Sequence, residues 1–219
     1  MNHMGKKKAV IFDLDGTLLD TYPGMYLSAN KALVSIGKPE ADPVEFRKFI
    51  GPPLRTSFRV GCGMTDEAEI EKICPIYLKI YHDEGYKHAD VYPGLVPLLE
   101  SLKAKGLFLG IATMKREPNA IRLIQYQNLD VFFDGIMGSD EGYTRTKSSN
   151  ILELIKKGGI DDVSDAVMIG DTEGDESAAR KAGVKFIKVN YGYGFSEETP
   201  DSHSVDELSD VISDILGLE

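Results

Sequence analysis

Five short apolar runs recur along the chain: KAVIF at 8–12, LFLGIAT at 107–113, FDGIMG at 133–138, AVMIGD at 166–171 and VKFIKV at 184–189. A run apolar throughout, rather than alternating with polar residues, suits a strand buried on both faces of a sheet. Helical patterns separate the later runs. Val96–Leu99–Leu102 leads into Gly106, Ile151–Leu152–Ile155 ends at Gly158–Gly159, and Ser177–Ala178–Ala179–Lys181 ends at Gly183. A glycine just past the last apolar position is a helix stop. Strands and helices alternating in this way predict an α/β fold, a doubly wound parallel sheet with helices on both faces.

One stretch breaks the alternation. From about 20 to 88 the chain keeps helical periodicity with no convincing strand, far beyond an ordinary strand-to-helix loop. Leu27, Leu33, Val34 and Ile36 fit a helix ending at Gly37, and Phe46, Phe49 and Ile50 a second ending at Gly51-Pro52-Pro53. Ile70, Ile73, Ile76, Tyr77 and Ile80 make a third apolar face for packing. The expected organisation is a core domain of residues 1–19 and 90–219 interrupted by a helical domain at 20–89. Pro23-Gly24 and Tyr92-Pro93-Gly94 mark the junctions.

The 219 residues carry a formal net charge of -10. That argues against a nucleic-acid polymer as partner, because phosphate contacts need a basic face. An anionic substrate would need a local positive site instead. Cys62 and Cys74 are too few for a disulfide framework and suit the reduced thiols of a cytoplasmic protein. No apolar run approaches the ~20 residues that span a bilayer. The run after Lys6, Lys7 and Lys8 breaks at Asp13, too early for a signal peptide, so no membrane partner is expected. Residues 1–5 read as an unstructured lead-in. Oligomeric state has no signature here.

The first run ends in VIFDLDGTLLD, which puts Asp13 and Asp15 at the carboxyl end of a strand, where open α/β sheets bind ligands. Alternation places both carboxylates on roughly the same side, Gly16 permits a tight backbone, and Thr17 offers a hydroxyl. A carboxylate attacking phosphorus forms an acyl phosphate and splits one hard displacement into two easier ones. The second carboxyl can protonate the leaving oxygen and later take a proton from water. Clustered carboxylates repel one another unless a cation joins them. Mg2+ fits, since it takes a few carboxylates together with water and substrate phosphate. An acidic turn without chemistry is the competing reading of this string.

The strand followed by DLDGTLLD resembles the nucleophile loop of the haloacid dehalogenase superfamily, in its phosphoglycolate phosphatase-like branch with a helical cap. The resemblance implies a catalytic role for Thr113 in GIATMKRE, holding a phosphoryl oxygen, and for Lys147 in GYTRTKSSNIL, neutralising charge. Ser148 follows that lysine where many relatives have proline, and Arg145 competes for its role. In MIGDTEGDESAARKAGV, Asp171 is the implied metal ligand. Asp175 would orient metal waters or Lys147, or simply cap a helix. Asp13 and the Asp15 carbonyl complete the implied metal set. Thr17 and Lys115 would meet the substrate, as would Arg55 in FIGPPLRTSF, a segment similar to caps of phosphoglycolate phosphatases and 5'-nucleotidases. Tyr22 and Tyr26 would line the entrance or pack the core, and His82 and His88 lack metal-binding spacing.

The implied activity is magnesium-dependent hydrolysis of a small phosphorylated metabolite through an aspartyl phosphate. A sugar phosphomutase would use the same nucleophile, although VNYGYGFSEE leans toward the phosphatases. A non-enzymatic phosphoacceptor signalling module and an inactive binding protein are the readings from other classes. The early position of Asp13 and the helical insertion argue against the signalling module.

Overall fold

Residues 8–142 and 144–218 are described by the structure, a computed structural model; the lead-in expected at residues 1–5 lies outside them. The first half of the chain runs β1 (Ala9–Phe12), β2 (Leu19–Asp20), α1 (Tyr22–Ser35), α2 (Leu54–Cys62), α3 (Glu67–Asp83), β3 (Asp90–Val91) and α4 (Leu95–Ala104). Then follow β4 (Phe108–Arg116), α5 (Glu117–Tyr126), β5 (Gly135–Ser139), α6 (Lys147–Gly158), β6 (Ala166–Gly170), α7 (Glu173–Ala182), β7 (Lys185–Val189), β8 (Ser202–His203) and α8 (Leu208–Leu216). Two compact units result: Met1–Leu18 with Val91–Glu219, and Leu19–Asp90.

In the first unit six strands form one parallel sheet in the order β5-β4-β1-β6-β7-β8. β1 lies between β4 and β6, with Val10 opposite both Leu109 and Val167. Every residue of β1 and β6 is buried. Ala9, Ile11, Ala166 and Met168 pack with Ile151, Leu154 and Ile155 of α6 and Ala178 and Ala179 of α7. Alternation puts Val10, Phe12, Val167 and Ile169 on the opposite face. They are buried too, and α4 and α8, which contact β4, β6 and each other, cover that side. Each such side chain contributes roughly 1.5–3 kcal/mol, so the run stays apolar until it leaves the sheet at Asp13. After β1 the chain builds β4 and β5 on one side, then crosses to build β6 on the other. The crevice at the carboxyl ends of β1, β4 and β6 is the switch point at which such sheets bind ligands.

The second unit is helical. Its core is a chain of aromatic rings, Phe46, Phe49, Phe58, Tyr77 and Tyr81, with successive centroids 4.6–5.9 Å apart. Two details differ from the periodicity reading. The segment Glu45–Phe49 forms a short 3-10 turn rather than an α-helix, because Pro52 and Pro53 follow closely and Pro53 already caps α2. α1 buries Gly24, Ser28, Ala29, Ala32 and Leu33, while Val34 is 56% exposed. The reason is a close approach: a Cβ on Gly24 would lie 2.0 Å from the Gly85 carbonyl oxygen. Small residues therefore take most of the inner face, with Leu33 buried beside them and Val34 left outside. Tyr22 and Tyr26 stack on each other and donate their hydroxyls to Pro43 O (2.8 Å) and Ala41 O (3.0 Å). His82 and His88 are exposed. Cys62 and Cys74 are free thiols, and burial pushes the Cys62 thiol up to about 12. No helix among the described residues is long and apolar enough to cross a membrane.

Candidate active site

Asp13 is the first residue beyond β1, and its N–H still donates to Ile169 O of β6 at 2.9 Å. Its backbone is therefore still held in the ladder as the strand ends, and the residue is only 5% exposed. Gly16 turns the chain with φ +86, where a Cβ would fall 2.3 Å from Asp171 Oδ2. Both the left-handed backbone and the contact exclude other residues. Thr17, fully buried, donates its hydroxyl to Asp171 Oδ1 at 3.0 Å. Its hydroxyl, expected at the substrate, is thus engaged with a second acid.

Asp171 follows the buried strand β6, and Thr172 caps α7 in a reciprocal box with Asp175. Asp175 Oδ2 accepts from Thr172 N (3.0 Å) and Thr172 Oγ1 (2.6 Å). Asp175 Oδ1 accepts from Lys147 Nζ. Asp175 thus caps its helix and holds the lysine at once. Lys147 is the first residue of α6, whose start is fixed by a capping box between Thr146 and Ser149. That box does the work of the absent proline. Lys147 Nζ also lies 2.9 Å from Asp13 Oδ1. Arg145, its competitor in the sequence, pairs with Glu117 at 2.8 Å instead.

Ligand atoms of Asp13, Asp171 and Asp175 all lie within 4.8 Å of one another, and all three residues are buried. Burial pushes the Asp13 carboxyl well above its ordinary range; Lys147 opposes this, while Asp175, Asp171 and Asp15 add to it. Burial likewise raises Asp171 to about 6, against the Tyr193 N–H, with Asp175 adding to the rise and Thr17 and Lys147 opposing it. Burial works against the Lys147 charge, but Asp13 and Asp175 outweigh it and hold the ammonium protonated well above its usual range. Three buried carboxylates facing one ammonium are short of positive charge. Asp13 Oδ1 is buried and, despite its ion pair with Lys147, makes no aligned hydrogen bond. An all-oxygen, electron-rich donor set of this kind fits a hard divalent cation.

Asp15 has its own lysine: Lys115 Nζ lies 2.8 Å from Asp15 Oδ1. Thr113 is buried in β4, and its hydroxyl accepts from Lys115 N at 3.1 Å. β4 runs past the expected end at Thr113, with its register against β5 shifting between Ala112 and Arg116. Arg55 belongs to the helical unit, exposed on α2 with its guanidinium 3.7 Å from Glu67. Several supporting residues lay outside the sequence reading. Asn150, buried on α6, donates to Thr113 O (3.2 Å) and Met137 O (3.4 Å), joining the ends of β4 and β5. Tyr193 N donates to Asp171 Oδ2 at 2.8 Å, and Tyr191 OH donates to Thr17 O at 3.1 Å. A Cβ at Gly192 would lie 2.4 Å from both Asp171 Cβ and Gly16 O. The only available signal was a polar residue on an apolar helix face and a GYG string after a strand.

The model of the haloacid dehalogenase-like hydrolases matches residues 10–189, from β1 through the end of β7. The chain belongs to this family. Among its relatives, Phosphoglycolate phosphatase 1 of Pseudomonas aeruginosa is 31% identical over 216 residues, covering 94% of this chain and 78% of that protein. The 5'-nucleotidase of the same organism is 35% identical over 190 residues, covering 86% and 85%. The crystal structure of a predicted phosphatase from Clostridium acetobutylicum superposes with a TM-score of 0.84 at 33% identity, covering 96% of this chain and 100% of that one. As a haloacid dehalogenase-like hydrolase, the chain carries its acidic cluster at the switch point of the sheet.

Proposed function

We propose that this hydrolase removes phosphate from a small phosphorylated metabolite in the cytoplasm, with Asp13 as nucleophile and Mg2+ as cofactor. The observation that carries the reading is Asp13 Oδ1, a buried carboxylate oxygen with a lysine at 2.9 Å and no aligned hydrogen bond to occupy its lone pairs. An Asp13 oxygen bonds to phosphorus as the ester P–O bond breaks, and Asp15 gives its proton to the leaving oxygen, releasing the alcohol. Water then attacks the same phosphorus, the P–O bond to Asp13 breaks, and Asp15 takes a proton from the water as inorganic phosphate leaves. Lys147 offsets the charge on Asp13 and the phosphoryl oxygens, and Thr113 with nearby N–H groups holds one of those oxygens. Mg2+, when bound by Asp13, the Asp15 carbonyl and Asp171, with Asp175 orienting its waters or Lys147, supplies the positive charge that this cluster lacks. Thr17 orients Asp171 through its hydroxyl. The helical unit acts as a cap, with Arg55 available for an anionic substrate group.

A phosphate-release screen over phosphoglycolate, 5'-nucleotides, sugar phosphates and pyrophosphate tests this. Release from at least one monoester, dependent on Mg2+ and needing no bisphosphate activator, is expected. Silence across the panel, or full activity in excess chelator, defeats the reading. A bisphosphate requirement points to the mutase instead.

The Asp171 shift sets a pH dependence. Its carboxyl must be ionised to hold the cation, so Mg2+ affinity should fall at least about tenfold per pH unit below about 6, with the raised Asp13 carboxyl adding to the fall. Because its folded value is raised, the metal-free protein is favoured at low pH and loses that contribution as pH rises through about 6. Thermal melts with and without Mg2+ should therefore separate widely at pH 8 and converge at pH 5. Equal separation at both would overturn the assignment of Asp171.

Gly192 tests the outer support. The contact distance of 2.4 Å leaves no room for a methyl group without moving Asp171. Gly192→Ala should weaken Mg2+ binding by about 10–100-fold, read by calorimetric titration. Unchanged affinity in a folded variant would mean that the loop does not position the ligand.

A further inference from the structure

We propose that Lys115 is the positioning residue of Asp15, fixing the proton-transfer carboxyl beside the nucleophile loop rather than gripping the phosphoryl group. The inference rests on the hydrolase reading above. β4 pairs with β5 through Ala112, and the pairing resumes only at Arg116, so residues 113–115 bulge from the ladder. Bulges re-aim side chains. Here Lys115 N is tied to the Thr113 hydroxyl at 3.1 Å, and the Lys115 side chain is only 6% exposed with its ammonium 2.8 Å from Asp15 Oδ1. A lysine buried to this degree gives up rotamer freedom and hydration together, which a carboxylate partner must offset. The other carboxylates do not provide it: Asp13 and Asp175 pair with Lys147. Asp171 is held by Thr17 and the Tyr193 N–H. The two cations are thus divided, Lys147 to the nucleophile and Lys115 to the proton carrier. Asp15 precedes Gly16, whose φ is +86, and its Oδ1 lies against the Lys115 ammonium.

A residue acting through Asp15 has a signature different from one that binds phosphate. Proton donation matters for an alkyl monoester, whose alkoxide leaves badly, and little for p-nitrophenyl phosphate, whose phenolate leaves unaided. Lys115→Met should lower kcat/KM for an alkyl monoester from the panel by about 100-fold and for p-nitrophenyl phosphate by about threefold at most. Adding it to Asp15→Asn should cause no further loss. Lys115→Arg should recover part of the loss on the alkyl ester. Equal losses on both substrates, persisting in the Asp15→Asn background, would show that Lys115 holds the phosphoryl group and overturn the proposal. Folding is checked by a melting-temperature cycle. The Lys115→Met/Asp15→Asn double variant should lose less than the two single variants together. Additive losses sink the pairing even if the wild type releases no phosphate, an outcome that would by itself defeat only the hydrolase reading.

Discussion

Asp13→Asn should abolish phosphate release, lowering kcat by a factor on the order of 10^4–10^6, while leaving the metal-free protein at least as stable as the wild type. The two halves have one cause. Asp13 is buried among like charges, and burial above all raises its carboxyl, with Lys147 opposing and Asp175, Asp171 and Asp15 reinforcing. A carboxyl raised in the folded state favours folding at low pH and costs stability once it ionises. The amide has almost the same shape and no charge, so it removes that cost along with the proposed nucleophile. The stability advantage of the variant should therefore widen from pH 5 to pH 8, and added Mg2+ should stabilise it much less than the wild type. Phosphate-release kinetics and thermal melts at the two pH values check both parts. Full magnesium-dependent turnover by Asp13→Asn would falsify the covalent mechanism outright.

Such exchange of stability for chemistry is common where a site must hold unpaired charge. It also bears on how far the candidate site was readable in advance. Asp13, Asp15, Asp171 and Asp175 stand in short strings directly after apolar runs, and a buried strand must end before a carboxylate can follow. The same apolar continuity made the parallel sheet legible: Ala9–Phe12 and Ala166–Gly170 are buried on both faces. Helix ends at Gly159 and Gly183 were legible because both take left-handed conformations that glycine favours, with φ of +66 and +77.

What was not legible has a common physical character. The Thr17 hydroxyl reaches Asp171 across 154 residues, and Asp171 takes its other bond from the backbone N–H of Tyr193. A backbone donor leaves no residue-type signature. The continuation of β4 past Thr113 depends on a register shift against β5, a property of two strands together. Which residues of α1 face inward was not legible from periodicity, which weighs hydrophobicity, whereas the close approach of Gly24 to Gly85 is decided by size. Lys115 illustrates the limit: its sequence position suggested a substrate contact, whereas its ammonium lies 2.8 Å from Asp15 Oδ1 beside a register shift that neither strand shows alone.

Lys147→Met should be the most destabilising single change at the site. Its ammonium is the cation shared by Asp13 and Asp175, and removing one partner from a buried ion network costs about 3–5 kcal/mol. The cost must depend on pH. Lys147 opposes the rise of Asp13 and Asp171, so without it both carboxyls move further up. Protonation then relieves the repulsion in acid, and the deficit relative to wild type should be smaller at pH 5 than at pH 8. Mg2+ should recover part of it at pH 8 by replacing the missing charge. Activity should not recover in parallel: in the proposed mechanism the lysine also offsets charge on the transferring group, and its loss should lower kcat by about 10^2–10^3 even at saturating Mg2+. Lys147→Arg separates charge from fit, since a guanidinium keeps the charge but is wider and planar. It should restore most of the stability and little of the rate. Chemical denaturation at both pH values, with and without Mg2+, gives the first quantity, and saturation kinetics the second. A methionine variant as stable as wild type at pH 8 without Mg2+ would mean that the three aspartates are not ionised together, and with that the requirement for a cation at this site would lapse.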